Sequence, residues 1–206
     1  GDYAGQTLAQ LVRCLGPRLV GEHVAALYGD EFPLLVKFID AHADLSVQVH
    51  PDDEAARRRG HRRGKTEMWY IMPSAADAKL YCGFRHDMTE QEYRRRVAEG
   101  TLCEALRQYD VAEGDAFFLP AGRVHAIGAG CLLAEVQQAS DVTYRMYDYG
   151  RKDKDGRERQ LHVDEAAEVT QWNASGDERI RKAPQAGRGV ELARCDYFCV
   201  VRYDVE

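Results

Sequence analysis

Apolar positions near the start of the chain recur at helical spacing. Four of them lie three or four residues apart: Leu8, Leu11, Val12 and Leu15. This pattern predicts an amphipathic helix, and Gly16-Pro17 is a typical end signal for it. A second short helix is predicted from Pro17 to Tyr28. We therefore assign residues 1–30 to a helical N-terminal segment.

From Phe32 onward the hydrophobic period changes to that of β-strands. Short runs rich in β-branched and aromatic residues are bounded by Pro, Asp and Gly: PLLVKFIDA, ADLSVQVHP, TEMWYIMP and AKLYCGF. Two helices interrupt the series, one after Pro51 that ends near Gly60 and one that opens at Thr89 and closes at Gly100.

More strands follow in VAEGDAFFLPAGRVHAIGAG and CLLAEVQQASDVTYRMYDYG, then a charged loop over 150–160 and a strand-like tail, CDYFCVVRY. Many closely spaced short strands with few helices are typical of an antiparallel barrel or jelly roll. The sequence therefore predicts a mainly β fold with minor peripheral helices.

Composition places the chain among ordinary globular proteins. Its 206 residues are 45% apolar and 30% charged, which excludes intrinsic disorder as the main description. No stretch approaches eighteen apolar residues, so no membrane association is expected. The balance of 28 basic against 34 acidic residues gives a net charge of -6, so nucleic acid is not an expected partner.

Six cysteines lie far apart without a C-x-x-C pair, and this favours free thiols in a reducing cytoplasm. The sequence does not open with a basic and then apolar leader.

The basic run at 57–63 is interpreted as a solvated face. Its alternative interpretation is a local attractor for an anionic ligand in a net-acidic protein.

Two histidines and a glutamate are candidates for a metal site. Gln48 and His50 are two apart on a predicted strand and leave the same face, and His125 follows a Pro-Ala-Gly turn that would aim it inward. With Glu67 they make a two-histidine, one-carboxylate set, and Gln48 offers a fourth, oxygen ligand. Zinc accepts this set, and so does non-haem iron. The remaining histidines are assigned to ordinary structural positions: His23, His42, His61, His86 and His162.

The segment from Gly114 to His125 matches the second cupin signature, G-x5-P-x-G-x2-H, in spacing and residue type. The Asn that ends the signature is replaced by Ala129, and the first cupin motif is only partly present, in QVH…E. The blocks FPLLVKFIDAHADLSVQVHPDDE, GKTEMWYIM, PAGRVHAIGAG and EVQQASDVTYRMYDYGR then resemble type I mannose-6-phosphate isomerases of the shorter bacterial branch. The similarity runs from about Tyr3 to Tyr197.

The resemblance implies a cupin jelly-roll barrel and a division of the chain. Residues 31–160 would form the zinc-binding cupin domain, and residues 161–206 a connector with the start of a second cupin domain whose remainder is absent. In the family, additional strands precede the position of Gly1 of this chain, and a second cupin domain follows the position of Glu206.

The resemblance also implies the site. One Zn²⁺ per chain would be held by Gln48, His50, Glu67 and His125. Other residues that the family uses at its site match Arg145, Lys65, Glu135 and Ser46 of this chain. The serine is the one that the family places near the substrate phosphate. Many longer members have a histidine immediately before the lysine, where this chain has Gly64, so a mechanism with that histidine as proton carrier is excluded.

The implied reaction interconverts mannose 6-phosphate and fructose 6-phosphate by moving a proton between C1 and C2 through a cis-enediol. It needs a cation for the enediolate oxygen, a base for the proton and a basic anchor for the phosphate. Glu135 and Lys65 are both candidate bases, with pKa values that the pocket would move toward neutrality. Glu135 is favoured, because a lysine beside zinc serves more easily as a cation. Arg145 suits either the enediolate oxygen or the phosphate.

Two alternatives stay open on the sequence alone. A metal-holding cupin that binds a sugar without turnover would need the ligand set but not Lys65, Glu135 and Arg145 together. An iron-dependent cupin oxygenase shares the two-histidine, one-carboxylate set. The expected partner is a small sugar phosphate, and the sequence leaves the oligomeric state open.

Overall fold

The computed structural model describes residues 2–205. Six α-helices lie at its periphery: α1 (Leu8–Leu15), α2 (Pro17–Val20), α3 (Glu22–Tyr28), α4 (Asp53–Arg58), α5 (Glu90–Glu99) and α6 (Val163–Val169). A short 3-10 helix spans Leu102–Ala105. Thr7 caps α1 through a capping box with Gln10, and Gly16 ends that helix as predicted.

The single helix predicted from Pro17 to Tyr28 is wrong in one respect, because the segment is split into α2 and α3. The break lies at Gly21, whose φ of 86° is outside the right-handed helical region. Gly100, at φ 71°, closes α5 in the left-handed conformation that glycine favours.

Twelve strands make up the rest of the regular structure of residues 2–205. In chain order they are β1 (Leu34–Asp40), β2 (Val47–Val49), β3 (Glu67–Ile71), β4 (Lys79–Phe84), β5 (Leu106–Asp110), β6 (Ala116–Leu119), β7 (His125–Ile127), β8 (Leu132–Gln138), β9 (Tyr144–Tyr147), β10 (Arg179–Ile180), β11 (Gly189–Arg194) and β12 (Cys199–Tyr203).

Ten of these strands form two five-stranded sheets in which every pair is antiparallel. The first sheet has the order β1-β8-β3-β6-β10 and the second the order β5-β4-β7-β2-β9. Strands distant in sequence are neighbours in both, as in a jelly roll rather than a meander. The prediction of a mainly β fold with peripheral helices is confirmed.

Alternation along the strands divides the apolar residues into three clusters. The interior between the sheets contains Trp69, Ile71, Leu80, Cys82, Phe117, Ile127 and Leu133. The second cluster combines Val47, Val49, Tyr144 and Met146 from the outer face of the second sheet with Tyr93 of α5 and Ala166 of α6. In the third cluster, Val190, Leu192 and Phe198 of the β11–β12 hairpin pack against the outer face of the first sheet, where Met68 and Ala116 lie.

Segment 161–206 packs against this barrel over its described part. The helix α6 lies on the second sheet, β10 extends the first sheet beside β6, and β12 pairs with β11. The division of the chain at residue 160 therefore stays a prediction. Within residues 2–205, no helix is both long and apolar enough to cross a membrane.

Candidate metal centre

His50, Glu67 and His125 meet in the barrel interior. His50 directly follows β2, while Glu67 and His125 are the first residues of β3 and β7. Their potential ligand atoms lie within 4.8 Å of one another. The Glu67 carboxylate lies 3.6 Å from His50 Nε2 through one oxygen and 3.3 Å from His125 Nε2 through the other. Each of the three residues is at most 2% exposed.

The neighbouring backbone orients both imidazole rings. The Nδ1 of His50 lies 2.9 Å from the carbonyl oxygen of Val142, and the Nδ1 of His125 lies 2.8 Å from that of Arg123. A carbonyl oxygen only accepts, so each Nδ1 carries the proton and donates it. Each Nε2 is thereby left with a lone pair that is directed toward Glu67, the arrangement typical of metal-ligating histidines.

The electrostatics of the cluster favour neutral imidazoles. Burial, and then the charge of Lys65, lowers the pKa of His50 well below its ordinary value. Burial also lowers the pKa of His125, to about 4. Burial and the charge of Glu135 raise the pKa of Glu67 to about 7, against the opposing effect of Lys65. At neutral pH both histidines therefore have the protonation state that a metal requires.

The donor set fits a divalent cation. His50 Nε2 and Glu67 Oε1 are buried and have no hydrogen-bond partner among the described residues. Ligand bonds of about 2.0–2.1 Å at tetrahedral angles place neighbouring ligand atoms roughly 3.3–3.4 Å apart. The separations of 3.3 and 3.6 Å, each measured to a different oxygen of Glu67, are close to this value. A cation at this point would satisfy the buried atoms that now lack a partner.

Gln48 lies beside this group without facing it as a ligand. It is directly opposite His125 in the β2–β7 register, and its amide nitrogen lies 3.3 Å from His125 Nε2. A ligating role requires the amide oxygen at that place, which a half-turn of the amide group provides. Gln48 as the fourth ligand stays a prediction.

Lys65 and Glu135, the two candidate bases, are part of one buried network next to Glu67. The Lys65 ammonium lies 2.9 Å from the ligand carboxylate of Glu67 and 3.9 Å from that of Glu135. Glu135 accepts hydrogen bonds from Lys37, at 2.9 Å, and from the Trp69 indole, at 3.0 Å. The structure thus brings the candidate metal ligands and both candidate bases together.

The environment of Glu135 differs from the expectation. Burial raises its pKa, but Lys65, Lys37 and the hydrogen bond from Trp69 outweigh burial, so the pKa is below its ordinary value. The expected movement toward neutrality is therefore wrong in direction. With both carboxylate oxygens hydrogen-bonded, Glu135 is a weak base at neutral pH.

Lys37 and Trp69 were not among the residues singled out in the sequence. Lys37 also donates to the Gln137 side chain, at 2.6 Å, and its side chain is 38% exposed, so it lies at the rim of the buried network. Its signal was a lone cation in the apolar strand LLVKFID. Only the β1–β8 register, which pairs Lys37 with Glu135, shows its relation to the site.

A second group of predicted residues lines a neighbouring cavity of about 580 Å³. Arg145 and Ser46 are in its wall, and Gln48 joins the cavity to the metal centre. Arg145 is directly opposite Gln48 in the β2–β9 register, which puts the two side chains on one face. The Arg145 guanidinium donates to the carbonyl oxygen of Gln160 at 2.8 Å, and its Nε is buried without a partner among the described residues.

Fold and site together define a small antiparallel β-barrel with a candidate metal centre of two histidines and one carboxylate. Residues 3–112 match the model of the family "phosphomannose isomerase type I, catalytic domain". Since the match spans more than half of the chain, the chain belongs to this family.

Curated relatives agree with the family match. Mannose-6-phosphate isomerase ManA of Bacillus subtilis is 44% identical over 212 residues, which cover 100% of this chain and 64% of the relative. Mannose-6-phosphate isomerase of Streptococcus mutans is 41% identical over 155 residues, covering 73% of this chain and 48% of the relative. The chain thus spans less than two thirds of the length of these relatives.

A crystal structure of mannose 6-phosphate isomerase from Bacillus subtilis superimposes with a TM-score of 0.79 and 31% identity. The superposition covers 100% of this chain and 65% of the other. The expected cupin jelly-roll architecture is confirmed by this likeness, which extends over the whole of the present chain.

Proposed function

We propose that the chain is the metal-binding part of an aldose–ketose isomerase that interconverts mannose 6-phosphate and fructose 6-phosphate. The observation that carries the proposal is the buried His50–Glu67–His125 group, with Lys65 2.9 Å from the ligand carboxylate. A metal-binding module without turnover has no need of a buried lysine against one of its ligands. The family match and the named relatives support the same reaction.

The resident cation is proposed to be Zn²⁺, one per chain, on His50, Glu67 and His125, with Gln48 as a fourth ligand through its amide oxygen. Nitrogen and carboxylate donors in a buried tetrahedral arrangement suit zinc. When bound, the ion stabilises the negative charge that develops on the substrate oxygen by acting as a Lewis acid.

Lys65 is the proposed proton carrier between C1 and C2. It is buried at the ligand carboxylate, whereas Glu135 has both oxygens hydrogen-bonded and a lowered pKa. In this role Lys65 takes the proton from one carbon and returns it to the neighbouring carbon. Glu135 is assigned to orienting Lys37 and Lys65, so the preference for Glu135 as base is given up.

Arg145 and Ser46 are proposed to hold the phosphate. Both line the cavity that adjoins the metal centre at Gln48, and β9 lies one strand spacing, about 4.8 Å, from β2. The planar fork of an arginine suits phosphate oxygens, and a serine hydroxyl supplies one more donor. Substrate bound in this way would reach from the cavity to the metal ligands.

Two further proposals concern context. Residues 31–160 would be the zinc-binding cupin domain, and residues 161–206 would lead into a second one. A cytoplasmic location is proposed because the six cysteines are unpaired in the fold.

The test is a coupled isomerase assay on mannose 6-phosphate with zinc-loaded protein, after chelation, and after zinc is returned. We expect turnover that disappears with the chelator and returns with zinc. His125→Asn should lose turnover and metal together, while His61→Asn, at an exposed position, should lose neither.

Two results would contradict the proposal. Stoichiometric zinc without turnover, in this chain and in a chain of the relatives' full length, would favour a sugar-binding module. Oxygen uptake by the iron-loaded protein that is indifferent to sugar phosphates would favour an oxygenase.

A further inference from the structure

The segment that carries Lys65 is buried although it has no regular secondary structure. Residues 63–66 lie between α4 and β3 and belong to neither of them. Gly64, Lys65 and Thr66 are nevertheless buried. Buried backbone N–H groups need hydrogen-bond acceptors, and an irregular segment does not obtain them from a helix or a strand ladder. The position of Lys65 therefore depends on the groups that supply these acceptors.

Two polar side chains bind the backbone on either side of Lys65. Asp53 Oδ1 accepts a hydrogen bond from the N–H of Gly64, at 2.8 Å. On the other side, the amide oxygen of Gln138 accepts from the N–H of Thr66, at 2.8 Å, and the backbone N–H of Gln138 donates to the carbonyl oxygen of Thr66, at 3.1 Å. Side chains thus take the place that a neighbouring strand has in regular structure.

Asp53 and Gln138 also bind each other. The amide nitrogen of Gln138 donates to Asp53 Oδ1, the same oxygen that accepts from Gly64, at 3.0 Å. Gln138 is 3% exposed and is the last residue of β8, whereas Asp53 is the first residue of α4. The other carboxylate oxygen of Asp53 lies 3.5 Å from the Tyr197 hydroxyl. We call the pair Asp53 and Gln138, which joins α4 to β8 around Lys65, the clamp.

The backbone of the segment lies directly against the residues that follow the candidate ligand His50. The N–H of Lys65 donates to the carbonyl oxygen of Pro51, at 2.9 Å. A β-carbon at Gly64 would lie 2.5 Å from the same oxygen and 2.6 Å from the backbone nitrogen of Asp53. Only glycine allows the two backbones to approach so closely. The clamp therefore acts on a segment that has little room to shift.

The arginines of the same connection are paired elsewhere. Four of them form ion pairs with carboxylates that are partly or fully exposed: Arg58 with Glu54, Arg59 with Glu168, and Arg62 and Arg63 with Glu31. Exposed ion pairs contribute little stability. These pairs favour the interpretation of the basic run at 57–63 as a solvated face over that of an attractor.

We propose that Asp53 and Gln138 are positioning residues, which hold residues 63–66 so that the Lys65 ammonium stays at the Glu67 carboxylate. This inference rests on the proposed function, since Lys65 is the proton carrier named there. A proton carrier acts only at hydrogen-bond distance from the reacting carbons, and a small displacement by a distant change lowers the rate strongly.

The test compares two substitutions at Asp53 with a matched control at Asp52. Asp53→Ala removes the acceptor, whereas Asp53→Asn keeps an oxygen for both donors and turns its N–H toward the Tyr197 hydroxyl, which can accept. The Asp52 side chain caps α4 by accepting from the N–H of Ala55, at 2.7 Å, so Asp52→Ala weakens the same helix without touching the clamp. The coupled isomerase assay, zinc content and circular dichroism are measured on each protein.

Asp53→Ala is expected to lower kcat about tenfold or more while zinc content is retained. KM for mannose 6-phosphate should stay unchanged, because Arg145 and Ser46, the proposed phosphate contacts, are outside the clamp. Gln138→Met should have the same effect, and Asp53→Asn should restore kcat. Asp52→Ala should lower Tm and keep the parent kcat. Equal losses of kcat in Asp53→Ala and Asp52→Ala, or no loss in a folded Asp53→Ala protein, would overturn the inference.

A second readout needs neither metal nor turnover. Amide hydrogen exchange of the metal-free chain, followed by NMR, should show slow exchange at 64–66 although these residues lie outside regular structure. Arg62 and Arg63 should exchange fast, because their N–H groups have no acceptor among residues 2–205. Asp53→Ala should speed the exchange at 64–66 and Asp52→Ala should not. Equal rates at 62–66 in the unaltered chain would overturn the inference even where the variants do not fold.

Failure of the proposed function is a separate result. A chain that does not isomerise, but whose slow exchange at 64–66 is lost in Asp53→Ala and kept in Asp52→Ala, refutes the activity and supports the positioning of Lys65. An active chain whose kcat is indifferent to Asp53→Ala and to Gln138→Met refutes the positioning alone.

Discussion

Lys65 and Glu67 form a buried ion pair of 2.9 Å, and both residues are at most 5% exposed. Burying two charges costs several kcal/mol each and is recovered only when every charge has partners. Here Lys37 and Glu135 complete a set of two cations and two carboxylates. A structural pair would be replaceable by apolar residues, whereas this one adjoins two histidines whose Nε2 atoms face the same carboxylate.

The first prediction concerns the proton carrier. Lys65→Met should lower kcat by about 10²–10⁴-fold, the usual contribution of a general base, with zinc content retained. Glu135→Gln should lower it only about tenfold, because it removes one hydrogen-bonded charge worth about 1.5 kcal/mol from the orientation of the lysines. Kinetics and metal analysis on both proteins give the comparison.

Lys79→Met is the matched control, since the Lys79 side chain is half exposed and its acidic neighbour Asp110 is 3.9 Å away. It should keep the parent activity. Near-normal turnover in Lys65→Met together with a collapse in Glu135→Gln would return the role of base to Glu135.

At the scale of elements, strand ends and turns position the site. β2 and β7 are three residues long, and their register puts Gln48 opposite His125. The turn after β9 is built by Tyr149 and Gly150 at positive φ, and it carries the Asp148 carboxylate that two arginines share. The stability of this turn therefore depends on the ionisation of one buried acid.

The second prediction is the acid sensitivity of that turn. Burial raises the pKa of Asp148, but hydrogen bonds from Arg159 and Arg151 outweigh burial and lower it below its ordinary value. A lowered pKa in the folded state adds stability that is fully present above the unfolded value of about 3.9 and is lost as the pH falls through the folded value. Asp148→Asn should therefore lower the free energy of unfolding by about 1–2 kcal/mol at pH 7, a range kept small because both arginines are partly exposed. The loss should become progressively smaller below about pH 4.

Urea unfolding of the parent and the variant at pH 7 and between pH 3 and 5 measures both effects. The control is Asp155→Asn, at an exposed position of the same loop, whose unfolding free energy should follow that of the parent at each pH. If Asp148→Asn and the parent lost stability in parallel as the pH fell, Asp148 would not be the group responsible.

Local patterns predicted most elements and the three residues of the candidate metal centre, His50, Glu67 and His125, because both depend on short-range spacing and short motifs. The two-residue step from Gln48 to His50 and the turn before His125 are visible in the sequence, and so are the helix ends at Gly16 and Gly100. The break at Gly21 was missed because apolar spacing continues across it, and only the backbone angle reveals it.

The residues that were not predicted make their contacts through the pairing of segments that lie far apart in the sequence. Lys37 reaches Glu135 across 98 residues of sequence, through the pairing of β1 with β8, and Arg151 reaches Asp44 across 107 residues. Which strands become neighbours in a jelly roll is set by packing of the whole barrel and has no local signal. Arginines in the polar loop at 150–160 are accordingly indistinguishable in the sequence from solvated surface charges.

At the scale of the whole molecule, the candidate metal centre connects the two sheets. His125 begins β7 of the second sheet and His50 directly follows β2 of the same sheet, while Glu67 begins a strand of the first sheet. The sheets otherwise meet through the apolar interior around Trp69 and Leu80. Without a cation, this junction has buried atoms that lack a hydrogen-bond partner, at His50 Nε2 and Glu67 Oε1, and this lowers the stability of the fold.

The third prediction follows from this connection. A cation that binds only the folded chain adds RT ln(1 + [L]/Kd) to the free energy of unfolding, about 2.7 kcal/mol at a free concentration of 100 times Kd. For a chain of this size that should raise Tm by about 5–10 °C. Thermal unfolding followed by circular dichroism, with buffered zinc and with a chelator, measures the shift.

His125→Asn should abolish the zinc-induced rise in Tm because a ligand from the second sheet is gone, whereas His61→Asn, at an exposed histidine, should preserve it. An equal zinc-induced rise in the parent and in His125→Asn would mean that zinc acts at surface groups, and the centre would then not be the junction of the two sheets.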